Sequence, residues 1–262
     1  MGLLKKIKKI INKKEFEHIN VGANAYTVAD HWFWEEYKNT GWEPETFKMF
    51  ARHLTEDITY VDLGAWVGVT MMFAHSLGCN RIYSVEANPE SYALLLKTLE
   101  RNDDLRAKVN LKNICITNKN GDSVSFGKGV SSASRIGRDG QYVVNTQTLS
   151  SYLEENGLTG NLFIKVDIEG SELLILEDLR ELCKKEDVKI FLALHPPFWD
   201  NKIDQGADLL NVLSLFEIRD ANNNKLTHER LGEMIMTEEE FPEWGTAYGN
   251  FFEVLLTYKK NL

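Results

Sequence analysis

The sequence lacks the features that mark several other classes of protein. It has only three cysteines, Cys79, Cys115 and Cys183, with neither the close pairs that bind zinc nor a disulfide framework. No apolar run approaches the roughly 20 residues of a membrane-spanning helix. Acidic residues (39) outnumber lysine and arginine (30), and a net charge of −9 argues against general nucleic-acid binding. We therefore expect a cytoplasmic protein with reduced thiols and no nucleic-acid partner.

The first segment, GLLKKIKKIINKKE, is basic in a chain that is otherwise acidic. Its apolar residues recur at helical spacing and its lysines fill the other face, which predicts a short amphipathic helix. Residues 3–14 contact an anionic membrane surface, pack on the protein itself or form a frayed, solvated tail, and periodicity does not distinguish these alternatives. Because lysines interrupt the apolar residues throughout, we do not expect a signal peptide.

An aromatic-rich stretch, HWFWEEYKNTGWEPETFKMF, occupies residues 31–50. Its rings, among them Trp32, Trp34, Tyr37 and Trp42, form either a cap over a ligand pocket or an anchor for an N-terminal extension, and we favour the anchor. We divide the chain into this extension, residues 1–57, and one α/β domain, residues 58–262.

From residue 58 onward, short apolar strand patterns alternate with helical ones. The strand patterns are ITYVDLG, RIYSVEA, KVNLKNICIT, SVSFG, QYVVNTQTL, NLFIKVD, VKIFLALH and FFEVLLTYK. This alternation predicts βαβ units and a mostly parallel sheet, buried on both faces. Such sheets bind ligands at the carboxyl ends of their strands. The polar residues at those ends are therefore the candidate site.

The first strand ends in Asp62, followed by a turn with Gly64 and Gly68. An acid here does not suit an anionic pyrophosphate, but it suits a cation such as the ammonium of a methionine moiety. Glu86 ends the next strand, where a carboxylate accepts hydrogen bonds from both hydroxyls of a ribose. Together they predict a ribonucleoside cofactor. The alternative is a helix cap at Asp62 and a surface acid at Glu86.

Two later strand ends carry the remaining candidates. Asp167, in the turn DIEG, is placed to orient or deprotonate a nucleophile, with Lys165 on the same strand face and Glu169 following. The alternative is a helix N-cap at Asp167 and a first-turn acid at Glu169. His195 ends VKIFLALH, and it is either a general base for a hydroxyl or a structural histidine.

Three motifs, VDLGAWVGVT, VEANPESYALLLKTLERN and FIKVDIEGSELLIL, occur in this order between residues 59 and 195. The sequence thereby resembles the FkbM-type methyltransferases. The resemblance implies an α/β, Rossmann-like class I methyltransferase fold, with a seven-stranded, mostly parallel sheet whose last strand is antiparallel. It also implies S-adenosylmethionine as cofactor, S-adenosylhomocysteine as product, and methyl transfer usually to oxygen.

By matching motifs, the resemblance assigns the methionine end to the first turn, the ribose to Glu86, and the adenine to the end of KVNLKN. The positions assigned to the cofactor are Asp62, Gly64, Trp66, Gly68, Glu86, Asn88, Asn113, Ile114 and Asp167. For catalysis we expect His195 or Asp167 to take the proton, with Glu169 and Lys165 in positioning roles. Many relatives carry an acid before the histidine where this chain has Ala193 and Leu194, so the identity of the base stays open.

We expect the acceptor to be a sugar hydroxyl of a glycan or glycoconjugate. A small natural product as acceptor and a non-catalytic glycan-binding protein are the alternatives. An NAD-dependent oxidoreductase is disfavoured because the sequence has no GxGxxG turn. A divalent metal is also disfavoured, since the sequence shows no compact set of hard-oxygen ligands. The sequence leaves the oligomeric state open.

Overall fold

The computed structural model describes residues 15–126, 136, 140–237 and 251–260. The predicted basic helix lies outside these ranges, so its contact with a membrane through residues 3–14 stays a prediction. Within the described ranges, every helix is too short or too polar to cross a bilayer.

The described chain begins with a β-hairpin and two helices. The hairpin pairs β1 (Phe16–Val21) with β2 (Asn24–Ala29), and α1 (Phe33–Thr40) and α2 (Pro44–His53) follow. The first half of the α/β domain then comprises β3 (Thr59–Leu63), α3 (Val69–Ser76), β4 (Arg81–Val85), α4 (Pro89–Glu100), α5 (Asp103–Lys108) and β5 (Val109–Lys112).

A small second sheet separates the two halves of the domain. It contains β6 (Cys115–Ile116), β7 (Ser123–Phe126) and β8 (Tyr142–Gln147), and α6 (Leu149–Glu155) follows. The second half comprises β9 (Leu162–Val166), a 3₁₀ turn (Glu172–Ile175), α7 (Leu176–Leu182), β10 (Val188–Leu194), a 3₁₀ turn (Pro196–Phe198), α8 (Lys202–Leu213), β11 (Phe216–Asp220), α9 (His228–Met236) and β12 (Phe252–Tyr258).

The main sheet has seven strands in the order β11-β12-β10-β9-β3-β4-β5. Its neighbours are parallel except for β12, which is antiparallel to both β10 and β11. The predicted sheet with an antiparallel last strand is confirmed. Strands added after β3 extend one side of the sheet and those from β9 onward the other. A crevice forms outside the carboxyl ends of β3 and β9, where this order reverses.

One predicted strand is wrong in its extent. KVNLKNICIT was expected to be continuous, but it divides into β5 in the main sheet and β6 in the small sheet. The break falls at Asn113, whose side-chain amide donates hydrogen bonds to the carbonyls of Glu86 and Ala87 at 2.7 and 2.9 Å. This side chain ties the end of β5 to the end of β4 and redirects the chain.

The N-terminal segment packs on the α/β domain through buried rings. Phe33, Trp34 and Phe50 lie in the same hydrophobic cluster as Tyr60 and Phe163 of the main sheet. The anchor is therefore confirmed for Trp34, whereas Trp32 and Trp42 line a cavity, as the alternative expected. The division between residues 57 and 58 stays a prediction, since the parts on either side share this core.

Candidate active site

A cavity of about 590 Å³ lies outside the carboxyl ends of the central strands. This volume falls within the range of small-molecule sites. Turns after β3, β4, β9 and β10 form its walls, together with parts of α1 and β12 and the residues just before α2. The cavity therefore brings together the two groups of strand-end residues predicted from sequence.

The turn after β3 depends on a glycine that no other residue replaces. Gly64 has a φ of +82°, and a Cβ atom there would lie 1.8 Å from the carbonyl oxygen of Asp167. Gly64 therefore allows the ends of β3 and β9 to meet at the cavity. Gly68, with a φ of +89°, lies against Leu95 and Met71 instead, so its role is close helix packing, not contact with the cavity.

Glu86 lines the cavity and is held by main-chain donors. Its two carboxylate oxygens accept hydrogen bonds from the backbone N–H groups of Trp66 and Asn88, both at 2.7 Å. Burial raises the pKa of Glu86 to about 7, although these N–H groups lower it. Because each oxygen accepts more than one hydrogen bond, capacity remains for ligand hydroxyls.

Contrary to the prediction, Asp62 does not face the cavity. Its carboxylate is fully buried, accepts a hydrogen bond from the Thr70 hydroxyl at 2.9 Å, and lies 3.2 Å from Lys165 Nζ. Asp62 and Lys165 are paired in the register of β3 and β9, which explains the contact. The predicted direct contact between Asp62 and a ligand ammonium is therefore wrong. The carboxylate of Asp62 is paired with the ammonium of Lys165 instead.

The side chains of the two predicted asparagines also make hydrogen bonds within the protein and do not line the cavity. Asn88 caps α4, its side chain accepting hydrogen bonds from the N–H groups of Glu90 and Ser91. Asn113 anchors the end of β4, as described above. By contrast Ile114 lines the cavity as predicted, beside Cys115, in an apolar slot that suits an adenine ring.

Lys165 links the two halves of the site. Its ammonium donates to the carbonyl of Gly64 at 3.0 Å and lies 3.3 Å from Asp167 Oδ2, in addition to its contact with Asp62. Burial alone would lower the pKa of Lys165, but these two carboxylates outweigh it and raise the pKa above its ordinary value. Lys165 therefore stays charged and fixes the carboxylate of Asp167.

His195 is buried and fixed from behind by a carboxylate that the sequence analysis missed. Its Nδ1 lies 2.7 Å from Glu172 Oε1, while Nε2 lies 3.5 Å from Asp167 Oδ1 and 3.7 Å from Glu169 Oε2. Burial alone would lower the pKa of His195, but Glu172, Asp167 and Glu169 together raise it to about 9. The imidazole of His195 is therefore protonated at neutral pH. It can accept a proton from a substrate only after it has lost one.

Asp167, Glu169 and His195 also form a compact set in space. One ligand atom from each lies within 4.8 Å of the other two, close enough for one divalent cation to contact all three. The expectation from sequence that the chain has no compact set of metal ligands is therefore wrong. The ammonium of Lys165 beside Asp167 opposes a second cation there, and the role of a metal stays untested.

Two further carboxylates in the cavity wall were missed. Thr46 Oγ1 lies 3.3 Å from Glu43 Oε2 and 3.2 Å from Glu253 Oε1, joining the start of α2 to β12. Burial raises the pKa of Glu43, with further contributions from Glu253 and Asp167. Burial and Asp167 likewise raise the pKa of Glu253 to about 7. The acid inside the apolar strand pattern FFEVLL was a signal for Glu253.

The strand order and the cavity at its reversal define a Rossmann-like class I methyltransferase fold. Residues 50–226 match the family described as the methyltransferase FkbM domain, and the chain belongs to that family. The family predicted from the three sequence motifs is thereby confirmed. No curated protein matches the chain.

Solved structures of methyltransferases resemble the chain at low identity. The methyltransferase FkbM from Methylobacillus flagellatus KT is 15% identical, with a TM-score of 0.48 over 98% of this chain and 71% of that one. The precorrin-6y C5,15-methyltransferase from Geobacter metallireducens GS-15 is 12% identical, with a TM-score of 0.42 over 82% and 86%. The tRNA (uracil-54, C5)-methyltransferase from Pyrococcus abyssi, in complex with S-adenosyl-L-homocysteine, is 11% identical, with a TM-score of 0.45 over 93% and 44%.

Proposed function

We propose that this protein is an S-adenosylmethionine-dependent O-methyltransferase that methylates a sugar hydroxyl of a glycan or glycoconjugate. The observation that carries the proposal is the arrangement of one cavity. Glu86 and an apolar slot lie at one end, and a carboxylate–imidazole group built from Asp167, Glu169 and His195 lies at the other. Membership of the FkbM methyltransferase family supports the reaction class.

The residues at the first end fit S-adenosylmethionine. Glu86 offers carboxylate oxygens to the ribose hydroxyls, and Ile114 and Cys115 offer an apolar surface to the adenine. Because Gly64 has no Cβ atom, the ends of β3 and β9 can lie against each other beside the cavity. When bound, this cofactor supplies an electrophilic methyl group on a positively charged sulfur.

The residues at the second end suit the removal of a proton from a hydroxyl. With the cofactor bound, neutral His195 at Nε2 or the carboxylate of Asp167 would accept the hydroxyl proton as the acceptor oxygen takes the methyl group. Lys165 holds Asp167 in place, and Glu172 orients the imidazole of His195. Alignment of the two reactants and proton acceptance are the contributions that this chemistry requires.

The test is a turnover assay with labelled S-adenosylmethionine against nucleotide sugars, oligosaccharides and lipid-linked glycans. We expect a methyl ether on a sugar oxygen, assigned by mass spectrometry and NMR, together with S-adenosylhomocysteine. Calorimetry should show binding of S-adenosylmethionine and none of NAD. A product methylated on nitrogen or carbon contradicts the sugar-hydroxyl proposal, and failure to bind the cofactor contradicts the proposal as a whole.

A further inference from the structure

The N-terminal segment contributes its own side chains to the cavity wall. Trp32, Glu36, Trp42 and Glu43, from the region of α1 and α2, all line the cavity. We propose that these residues form the acceptor subsite and that it selects an uncharged or amino sugar over an anionic one. This inference rests on the proposed function and names the substrate class of the same site.

Trp32 has the surface that a sugar-stacking residue requires. It is 56% exposed, whereas the adjacent Phe33 and Trp34 are each 1% exposed and belong to the core. Its ring lies 5.9 Å from the ring of Trp66 and 5.1 Å from that of His31, measured between centroids. The indole is therefore supported by neighbours while over half of its surface stays accessible. A rigid indole at a cavity wall covers the C–H face of a sugar ring at little entropic cost.

The acidic residues around the cavity disfavour an anionic acceptor, although burial raises the pKa of Glu86 and of Glu253 to about 7 and that of Glu169 to about 8. Among the described residues that line it, six are acidic: Glu36, Glu43, Glu86, Asp167, Glu169 and Glu253. Its basic residues in the same ranges are Lys165 and His195, and each already faces carboxylates of the protein. A uronate or a phosphorylated sugar would add like charge to this wall, whereas neutral hydroxyls and an ammonium donate hydrogen bonds to it.

The first test measures the kinetics of the full-length enzyme with a neutral sugar acceptor. It compares the wild type with Trp32→Ala, Trp32→Phe and the control variant Ile203→Ala. Ile203 is 67% exposed, lies on α8 and does not line the cavity. We expect Trp32→Ala to raise the acceptor KM about tenfold with kcat and the dissociation constant of S-adenosylhomocysteine unchanged. Trp32→Phe should retain most of the affinity, and Ile203→Ala should match the wild type. An unchanged KM, or a weakened S-adenosylhomocysteine complex, would overturn the stacking role.

The second test compares a neutral hexose glycoside with the matching uronate. We expect the uronate to have a kcat/KM at least about tenfold lower, and Glu36→Gln, an exposed rim position, to narrow that ratio. An equal or better uronate overturns the charge selection while methyl transfer itself still stands. If the wild type methylates no sugar, saturation-transfer NMR on the S-adenosylhomocysteine complex separates the two ideas. Sugar contacts at indole protons that Trp32→Ala removes support the subsite, and their absence refutes it.

Discussion

The two ends of the cavity are built in different ways. At the cofactor end, a glycine turn and main-chain N–H groups position one carboxylate, Glu86, and the participating residues lie in two motifs at the ends of neighbouring strands. At the acceptor end, charged side chains from different segments converge, with Glu43 just before α2, Asp167 after β9, His195 after β10 and Glu253 on β12. The first end is fixed by backbone geometry, and the second by mutual electrostatics. We expect substitutions at the two ends to affect different measurements.

The largest expected effect is on the rate at the acceptor end. His195→Ala and Asp167→Asn should each lower kcat by about 10²–10⁴-fold if the residue takes the hydroxyl proton. The dissociation constant of S-adenosylhomocysteine, measured by calorimetry, should change little in His195→Ala, because this side chain belongs to the other end. A residue that only positions the acceptor should mainly raise its KM.

These two variants divide the roles between them. A large loss of kcat in one, with a raised KM in the other, identifies the base. Near wild-type turnover in both would show that neither accepts the proton. Weakened cofactor binding in His195→Ala would contradict the separation between the two ends.

The next effect is on stability at the cofactor end. Gly64→Ala places a Cβ atom against the Asp167 carbonyl, at a φ that L-residues disfavour, and should lower the free energy of unfolding by about 3 kcal/mol or more. Gly157→Ala is the matched control, since its φ is +62° but nothing lies within 4 Å of the added atom. It should lose only the conformational part, about 1–2 kcal/mol. Equal losses in urea unfolding would show that the contact with Asp167 is not rigid.

The same contrast explains how much of the site was predictable. Gly64 and Glu86 lie in short local motifs at the ends of buried strands, so a reading of sequence placed them at the cavity. Glu172 and Glu43 were missed because neither ends a predicted strand, and their roles depend on side-chain contacts with His195 and, through Thr46, with Glu253. Asp62 was placed at the correct strand end, but only the register of β3 against β9 shows that Lys165 occupies its carboxylate.

The fold shows a similar limit. The parallel strands were recognised because burial on both faces makes them continuous apolar runs, as in β3 and β9. The hairpin β1–β2, both helices that precede β3, and the elements α8, β11 and α9 were not predicted. In α1 only Phe33 and Trp34 are buried, so its short sequence carries little helical periodicity. Its position follows from the core it contacts.

A smaller effect is expected on cofactor affinity. Glu86→Gln places an amide N–H₂ against the N–H of either Trp66 or Asn88 and removes the negative charge, so S-adenosylhomocysteine should bind about 10–100-fold more weakly. Glu100→Gln, at the exposed end of α4, is the control and should bind like the wild type. Calorimetry measures both. An unchanged affinity in Glu86→Gln would remove the assignment of ribose hydroxyls to this carboxylate.

The last expected effect is the pH dependence of the rate. Burial lowers the pKa of His195, but Glu172, Asp167 and Glu169 outweigh it and raise the pKa to about 9. If neutral His195 is the base, kcat/KM should therefore rise about tenfold per unit between pH 7 and 8 and level off above pH 9. Asp167→Asn removes one of these charges, so the same rise should occur at lower pH, whereas Glu86→Gln should leave it in place. A profile that is flat from pH 7 to 9 would instead assign the proton to a carboxylate already ionised at neutral pH.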